Sequence, residues 1–234
     1  MKRIGFFLLV VVAVAGIVAF LIKDKHVISP LGKKIVKITE RPLEKYTFAS
    51  LKKTQFRDTQ IILGRIIDDK ENFTSQMFYY ESEGKKVSGF LNAPKDSGEY
   101  PVIVMLRGFV LKEIYKTGIG TKRAGEVLAS NGFITLAPDF LGYGESDKPS
   151  KNPMEERFQT YTTVLTLLSS INSFNEGLDA SYSGRIKADT SKVGIWGHSN
   201  GGQIALSVLE IYGKSFPTVL WAPVSKPFPY SILY

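Results

Sequence analysis

The stretch Lys192–Gly202, "KVGIWGHSNGG", decides the fold. Residues 192–196, "KVGIW", read as a buried strand, short and apolar with a β-branched and aromatic core. Residues 202–212, "GQIALSVLEIY", place apolar side chains at helical spacing. Between them Gly197-His198-Ser199-Asn200-Gly201 fits G-x-S-x-G. A strand, a tight turn and a helix are the setting in which such a turn lifts a serine hydroxyl clear of a sheet. Gly197 and Gly201 are expected where a side chain would strike neighbouring backbone. Ser199 falls at a helix N-terminus, whose dipole favours developing negative charge. A Gly-rich phosphate-binding turn is the rival reading, but the spacing is not that of a G-x-x-x-x-G-K-[ST] loop.

Upstream, "QIILGRII" (60–67), "FTSQMFYYES" (73–82) and "KKVSGFLNAP" (85–94) predict three strands, the last two joined by a hairpin at Glu83-Gly84. "YPVIVMLRGF" (100–109) and "FITLAPDF" (133–140) are continuous apolar runs, as in strands buried on both faces of a parallel sheet. "GTKRAGEVLASNG" (120–132) reads as a helix, with Thr121 as N-cap and Asn131-Gly132 as its stop. A further helix is expected from Met154 to about Gly177, and a strand in "PTVLWAP" (217–223). Strand and helix alternate four times, which predicts an α/β fold with a mostly parallel sheet flanked by helices, led by an antiparallel β segment.

"GHSNGG" after "VGIW", "PVIVMLRGF" before it and "APDFLGYGESDKP" (137–149) together resemble the α/β-hydrolase superfamily, most closely its prolyl oligopeptidase and dienelactone-hydrolase-like branches. The likeness spans about residues 85–223. It implies a serine hydrolase with Ser199 as nucleophile and the backbone N–H groups of Phe109 and Asn200 as oxyanion-hole donors. Arg107-Gly108 stands where the superfamily often has His-Gly. Asp139 and Asp147 are expected to be structural, since the triad acid follows the serine in this superfamily; Tyr143 and Arg107 are candidates for substrate contact or packing.

The triad order in this fold is Ser, then an acid, then His. After Ser199 the sequence holds no His, no Asp and one acid, Glu210, placed inside the helix. His198 adjoins the nucleophile on a turn where neighbouring side chains diverge, and His26 precedes it by a long way. The triad acid and base are therefore expected to be missing from these residues, and the chain to be truncated at its C-terminus.

Residues 1–45 carry nine basic and three acidic side chains, so most of the net charge of +8 lies there rather than on the domain, which argues against nucleic-acid binding. With no cysteine and two histidines, neither a thiolate site nor a zinc centre is expected, and no cofactor or metal is predicted. Residues 4–22 are uncharged, about 28 Å as a helix and enough to span a bilayer. Ala13-Val14-Ala15 offers a signal-peptidase-like site, but the apolar run continues beyond it, which favours an anchor. The expected layout is an anchor in 1–22, a basic tether in 23–59 and an α/β-hydrolase domain in 60–234, on the extracytoplasmic side of the membrane. Lys2 and Arg3 support that orientation, and the lysines after residue 22 oppose it. The expected activity is acyl transfer to water from a peptide, as a serine-type peptidase, with carboxylesterase and a non-catalytic tethered binding protein as alternatives.

Overall fold

The computed structural model describes residues 41–224. The anchor expected in residues 4–22 and most of the tether lie outside the described residues. Among the described residues no helix is long and apolar enough to cross a membrane.

Seven strands form one sheet: β1 (Ile62–Asp69), β2 (Phe73–Ser82), β3 (Lys85–Pro94), β4 (Gly98–Leu106), β5 (Ile134–Pro138), β6 (Ile186–His198) and β7 (Thr218–Trp221). Their order across the sheet is β1-β2-β3-β5-β4-β6-β7. β1 to β3 run antiparallel, β3 meets β5 antiparallel, and β5, β4, β6 and β7 are mutually parallel. The β2–β3 hairpin closes at Glu83 and Gly84, both with positive φ, the geometry of a two-residue turn that matches strand twist.

The helices are α1 (Phe48–Leu51), α2 (Lys122–Ser130), α3 (Pro153–Ser170), α4 (Phe174–Tyr182) and α5 (Asn200–Tyr212). Alternation along the central strands sorts their side chains onto two faces. Val102, Val104 and Leu106 of β4 join Leu91, Leu136 and Ile195 in the main core, packed by Leu165 of α3, Leu178 of α4 and Val208 of α5. Met105, Phe90, Ala137 and Trp196 form a smaller cluster on the other face, with Ala124 and Leu128 of α2 against it. Burial on both faces explains why the runs in β4 and β5 are apolar throughout.

Several boundaries differ from expectation. β4 ends at Leu106, leaving Arg107–Phe109 as a loop. β6 begins at Ile186, with a register shift between Asp189 and Val193, so the strand is longer than "KVGIW" suggested. Residues 153–182 form two helices with a 3-10 turn between, not one. Thr121 occupies the N-cap of α2, but its hydroxyl donates to the Gly118 carbonyl instead of capping. Residues 43–59, assigned above to the tether, pack on the domain. Tyr46 and Leu51 are buried in the main core, and the Thr59 amide donates to Ser170 Oγ.

Candidate active site

β6 runs into α5 through Ser199, which takes φ 52° and ψ −119°. A side chain at positive φ is strained by about 1–3 kcal/mol and persists where its surroundings over-determine it. Here three backbone hydrogen bonds do so: Ser199 N–H donates to the Trp221 carbonyl (3.1 Å), and the Ser199 carbonyl accepts from Gly202 (3.0 Å) and Val224 (2.9 Å). The turn is also too tight for side chains. A Cβ on Gly197 would lie 2.8 Å from the Gly201 carbonyl oxygen, and one on Gly201 would collide with the Leu106 carbonyl. The elbow therefore packs, backbone against backbone, on the end of β4.

The loop after β4 comes equally close. A Cβ on Gly108 would sit 3.1 Å from Ser199 Cβ and 3.5 Å from its Oγ. The next residue, Phe109, projects its side chain outward, 70% exposed. Neither the Phe109 nor the Asn200 backbone N–H donates to an acceptor among the described residues. Two unengaged amides, one on each of the segments that meet at a serine hydroxyl, are what a tetrahedral oxyanion requires.

Arg107 and Asp139 anchor this loop. Asp139 is fully buried, and its carboxylate accepts from Ser88 Oγ (2.6 Å), Tyr115 Oη (2.6 Å) and Thr117 Oγ1 (2.9 Å). Burial, followed by the Asp139 charge, holds the Tyr115 hydroxyl well above its usual range. Arg107, buried as well, donates from Nη1 to the Gly108 carbonyl and from Nη2 to the Asp139 carbonyl, both at 3.0 Å. Its guanidinium lies 4.0 Å from the Tyr143 ring centre and 4.6 Å from that of Tyr115. Arg107 Nε is buried without a hydrogen-bond partner among the described residues.

Beside the serine, a cleft of about 190 Å³ is lined by Arg107, Phe109, Tyr143, Arg157, Asn200 and Gln203 among others. Arg157 donates to Asn200 Oδ1 at 3.0 Å, so the residue after the serine is held by its side chain too. Arg107 and Tyr143 thus both pack together and border the cleft. Asp139 and Asp147 each satisfy internal donors, Asp147 accepting from the Lys86 amide at 2.7 Å.

No imidazole or carboxylate among the described residues bonds to Ser199 Oγ. His198 packs its ring against Trp196 and Trp221, at centroid distances of 6.1 and 5.9 Å. Glu210 is on the exposed side of α5, paired with Lys52. His26 lies outside the described residues. Among the described residues no group of three or more His, Asp or Glu is arranged to hold a metal ion. Sequence reasoning missed the hub around Asp139. Its only local signals were an arginine closing a buried apolar strand and an aspartate closing another.

Comparison with known proteins agrees with this geometry. A family model described as Chlorophyllase matches residues 73–216, a span that includes Ser199, Arg107 and Asp139. An uncharacterized peptidase, YtmA of Bacillus subtilis, is 27% identical over 149 residues. That match covers 62% of this chain and 50% of YtmA, so the chain spans about half the length of this curated relative. Acetyl xylan esterase 1 of Thermoanaerobacterium shares the fold at a TM-score of 0.54 and 15% identity, over 74% of this chain and 55% of the esterase. The superfamily expected from the motifs is the one found, while the matching branch carries a different name from the two expected. With well over half of its residues matched, and a serine elbow set on a mostly parallel sheet, the chain belongs to the chlorophyllase family of α/β-hydrolases.

Proposed function

We propose that this protein is a serine hydrolase that transfers an acyl group to water, with Ser199 as the nucleophile. The observation that carries the reading is the strained backbone of Ser199 at a strand-to-helix turn, beside two unengaged amides. Ser199 Oγ attacks the substrate carbonyl, and the Phe109 and Asn200 amides receive the oxyanion. Collapse expels the leaving group, and water then hydrolyses the acyl-enzyme. Two such donors commonly lower the barrier by several kcal/mol. The proton of Ser199 must pass to a general base, and no imidazole or carboxylate among the described residues bonds to Ser199 Oγ.

The family match is in keeping with a carboxylic ester as substrate. A serine-type peptidase is the second reading, supported by the prolyl oligopeptidase-like motifs and by the relative named as a peptidase. Residues 4–22 would anchor the domain to a bilayer on the extracytoplasmic side, which protease accessibility on intact cells tests.

The decisive experiment treats the full-length protein with a fluorophosphonate probe. Labelling is expected at Ser199 and lost in Ser199→Ala. A folded protein that takes up no label would instead be a non-catalytic binding protein on a hydrolase fold. Short p-nitrophenyl esters against peptide p-nitroanilides then separate the two substrate classes, with faster turnover expected on the esters.

A further inference from the structure

The peptide unit between Gly108 and Phe109 has an unusual problem. Gly108 lies so near Ser199 that a Cβ would press on the serine, which explains the glycine. Yet glycine is the residue least able to hold a peptide plane in one orientation. The Phe109 side chain, 70% exposed, adds little anchorage. An amide meant to face an oxyanion needs some other restraint.

Arg107 supplies one. Its Nη1 donates to the Gly108 carbonyl at 3.0 Å. In a trans peptide the carbonyl of Gly108 and the N–H of Phe109 point in opposite directions, so holding the first aims the second. The guanidinium is itself held in place. Nη2 donates to the Asp139 carbonyl, and the rings of Tyr115 and Tyr143 lie against it. Asp139 is fixed in turn by three hydroxyl donors from Ser88, Tyr115 and Thr117. The bond to Gly108 is charge-assisted, hence stronger than one between neutral groups, and it draws electron density through the amide towards the carbonyl. That makes the Phe109 N–H a better donor.

We propose that Arg107 is a positioning residue: by clamping the Gly108 carbonyl, it sets the direction of the Phe109 N–H for the oxyanion. The proposal rests on the reading of Ser199 as nucleophile, but its structural half can be tested without turnover. Arg107→Met removes the clamp and the charge, whereas Arg107→Lys keeps the charge and loses the planar fork. Isotope-labelled NMR of the protein should show the Gly108 carbonyl carbon shifting upfield and the Phe109 amide signal broadening or splitting in both variants. If Arg107→Met does not fold, Arg107→Lys alone gives the answer. Unchanged Gly108 and Phe109 resonances overturn the proposal.

In turnover, losing the aim of one oxyanion donor should lower kcat roughly 10- to 100-fold while KM stays within about twofold. The loss is expected in Arg107→Lys as well, because the direction of the amide rather than charge alone is at stake. A fall in kcat that merely follows a fall in melting temperature, with KM rising alongside, would show a structural role only and sink the idea. Ser199→Ala keeps the two readings apart. Turnover that survives it defeats the nucleophile assignment, while turnover lost in Ser199→Ala but kept in Arg107→Lys defeats this proposal alone.

Discussion

Two segments of backbone meet at Ser199, and they are held by opposite means. The elbow, residues 197–201, is fixed chiefly by backbone: glycines let it press on Leu106, and the Ser199 peptide groups bond to Trp221, Gly202 and Val224. The loop after β4, residues 107–109, is fixed by side chains from far along the sequence, with Arg107 tied to Asp139 and Asp139 to Ser88, Tyr115 and Thr117. On the proposed reading of Ser199 as nucleophile, each segment must present one backbone amide. Steric exclusion does this at the start of a helix, where the dipole already aligns the N–H groups. A loop without such an axis needs side-chain hydrogen bonds instead.

If that contrast is right, the elbow should be the more brittle of the two. Gly201→Ala places a methyl group into the carbonyls of Leu106 and Arg107, and neither is a flexible side-chain end that can swing aside. We expect a stability loss of about 3 kcal/mol or more, measured by denaturant unfolding, together with loss of probe labelling at Ser199. A variant that stays as stable as the parent would mean that the backbone contact at the elbow is soft. Asp139→Ala tests the loop. It strands three hydroxyl donors in a buried site, which should lower stability by about 2–3 kcal/mol and loosen the Phe109 amide in hydrogen exchange, leaving the elbow protected. Equal loosening of both segments would erase the distinction between them.

A third test lies away from both segments and should be the smallest. Hydrogen bonds from Lys45 first, then Ser150 and Tyr46, hold the Glu155 carboxyl down at about 2. A depressed carboxyl contributes its full stabilisation above the ordinary carboxylate range and loses it as pH falls towards 2. The protection of amides in residues 43–52, measured against the intrinsic exchange rate at each pH, should therefore fall between about pH 4.5 and pH 2, more than in residues 197–201. Glu155→Gln should remove most of that pH dependence. An unchanged profile in the variant would show that Glu155 is not what fastens this segment.

The same contrast explains what could be read from sequence. The elbow was legible because its constraint is local: glycines at fixed offsets between a strand pattern and a helix pattern. β2, β3 and their hairpin were legible for a similar reason, since Glu83-Gly84 carries its own turn chemistry. The hub around Asp139 was not, because Ser88, Tyr115 and Thr117 have no spacing that betrays a shared carboxylate. Residues 43–59 were misjudged on composition. They are basic and follow Pro42, yet Tyr46 and Leu51 are buried in the main core. The break between α3 and α4 was hidden as well, because both helices continue one apolar pattern.

The left-handed backbone of Ser199 has an evolutionary corollary. Glycine would occupy φ 52° without strain, so Ser199→Gly should yield a protein at least as stable as the parent and chemically silent. Selection for robustness alone would drift towards that glycine. A serine that stays at this position over many generations is therefore itself a record of selection for turnover.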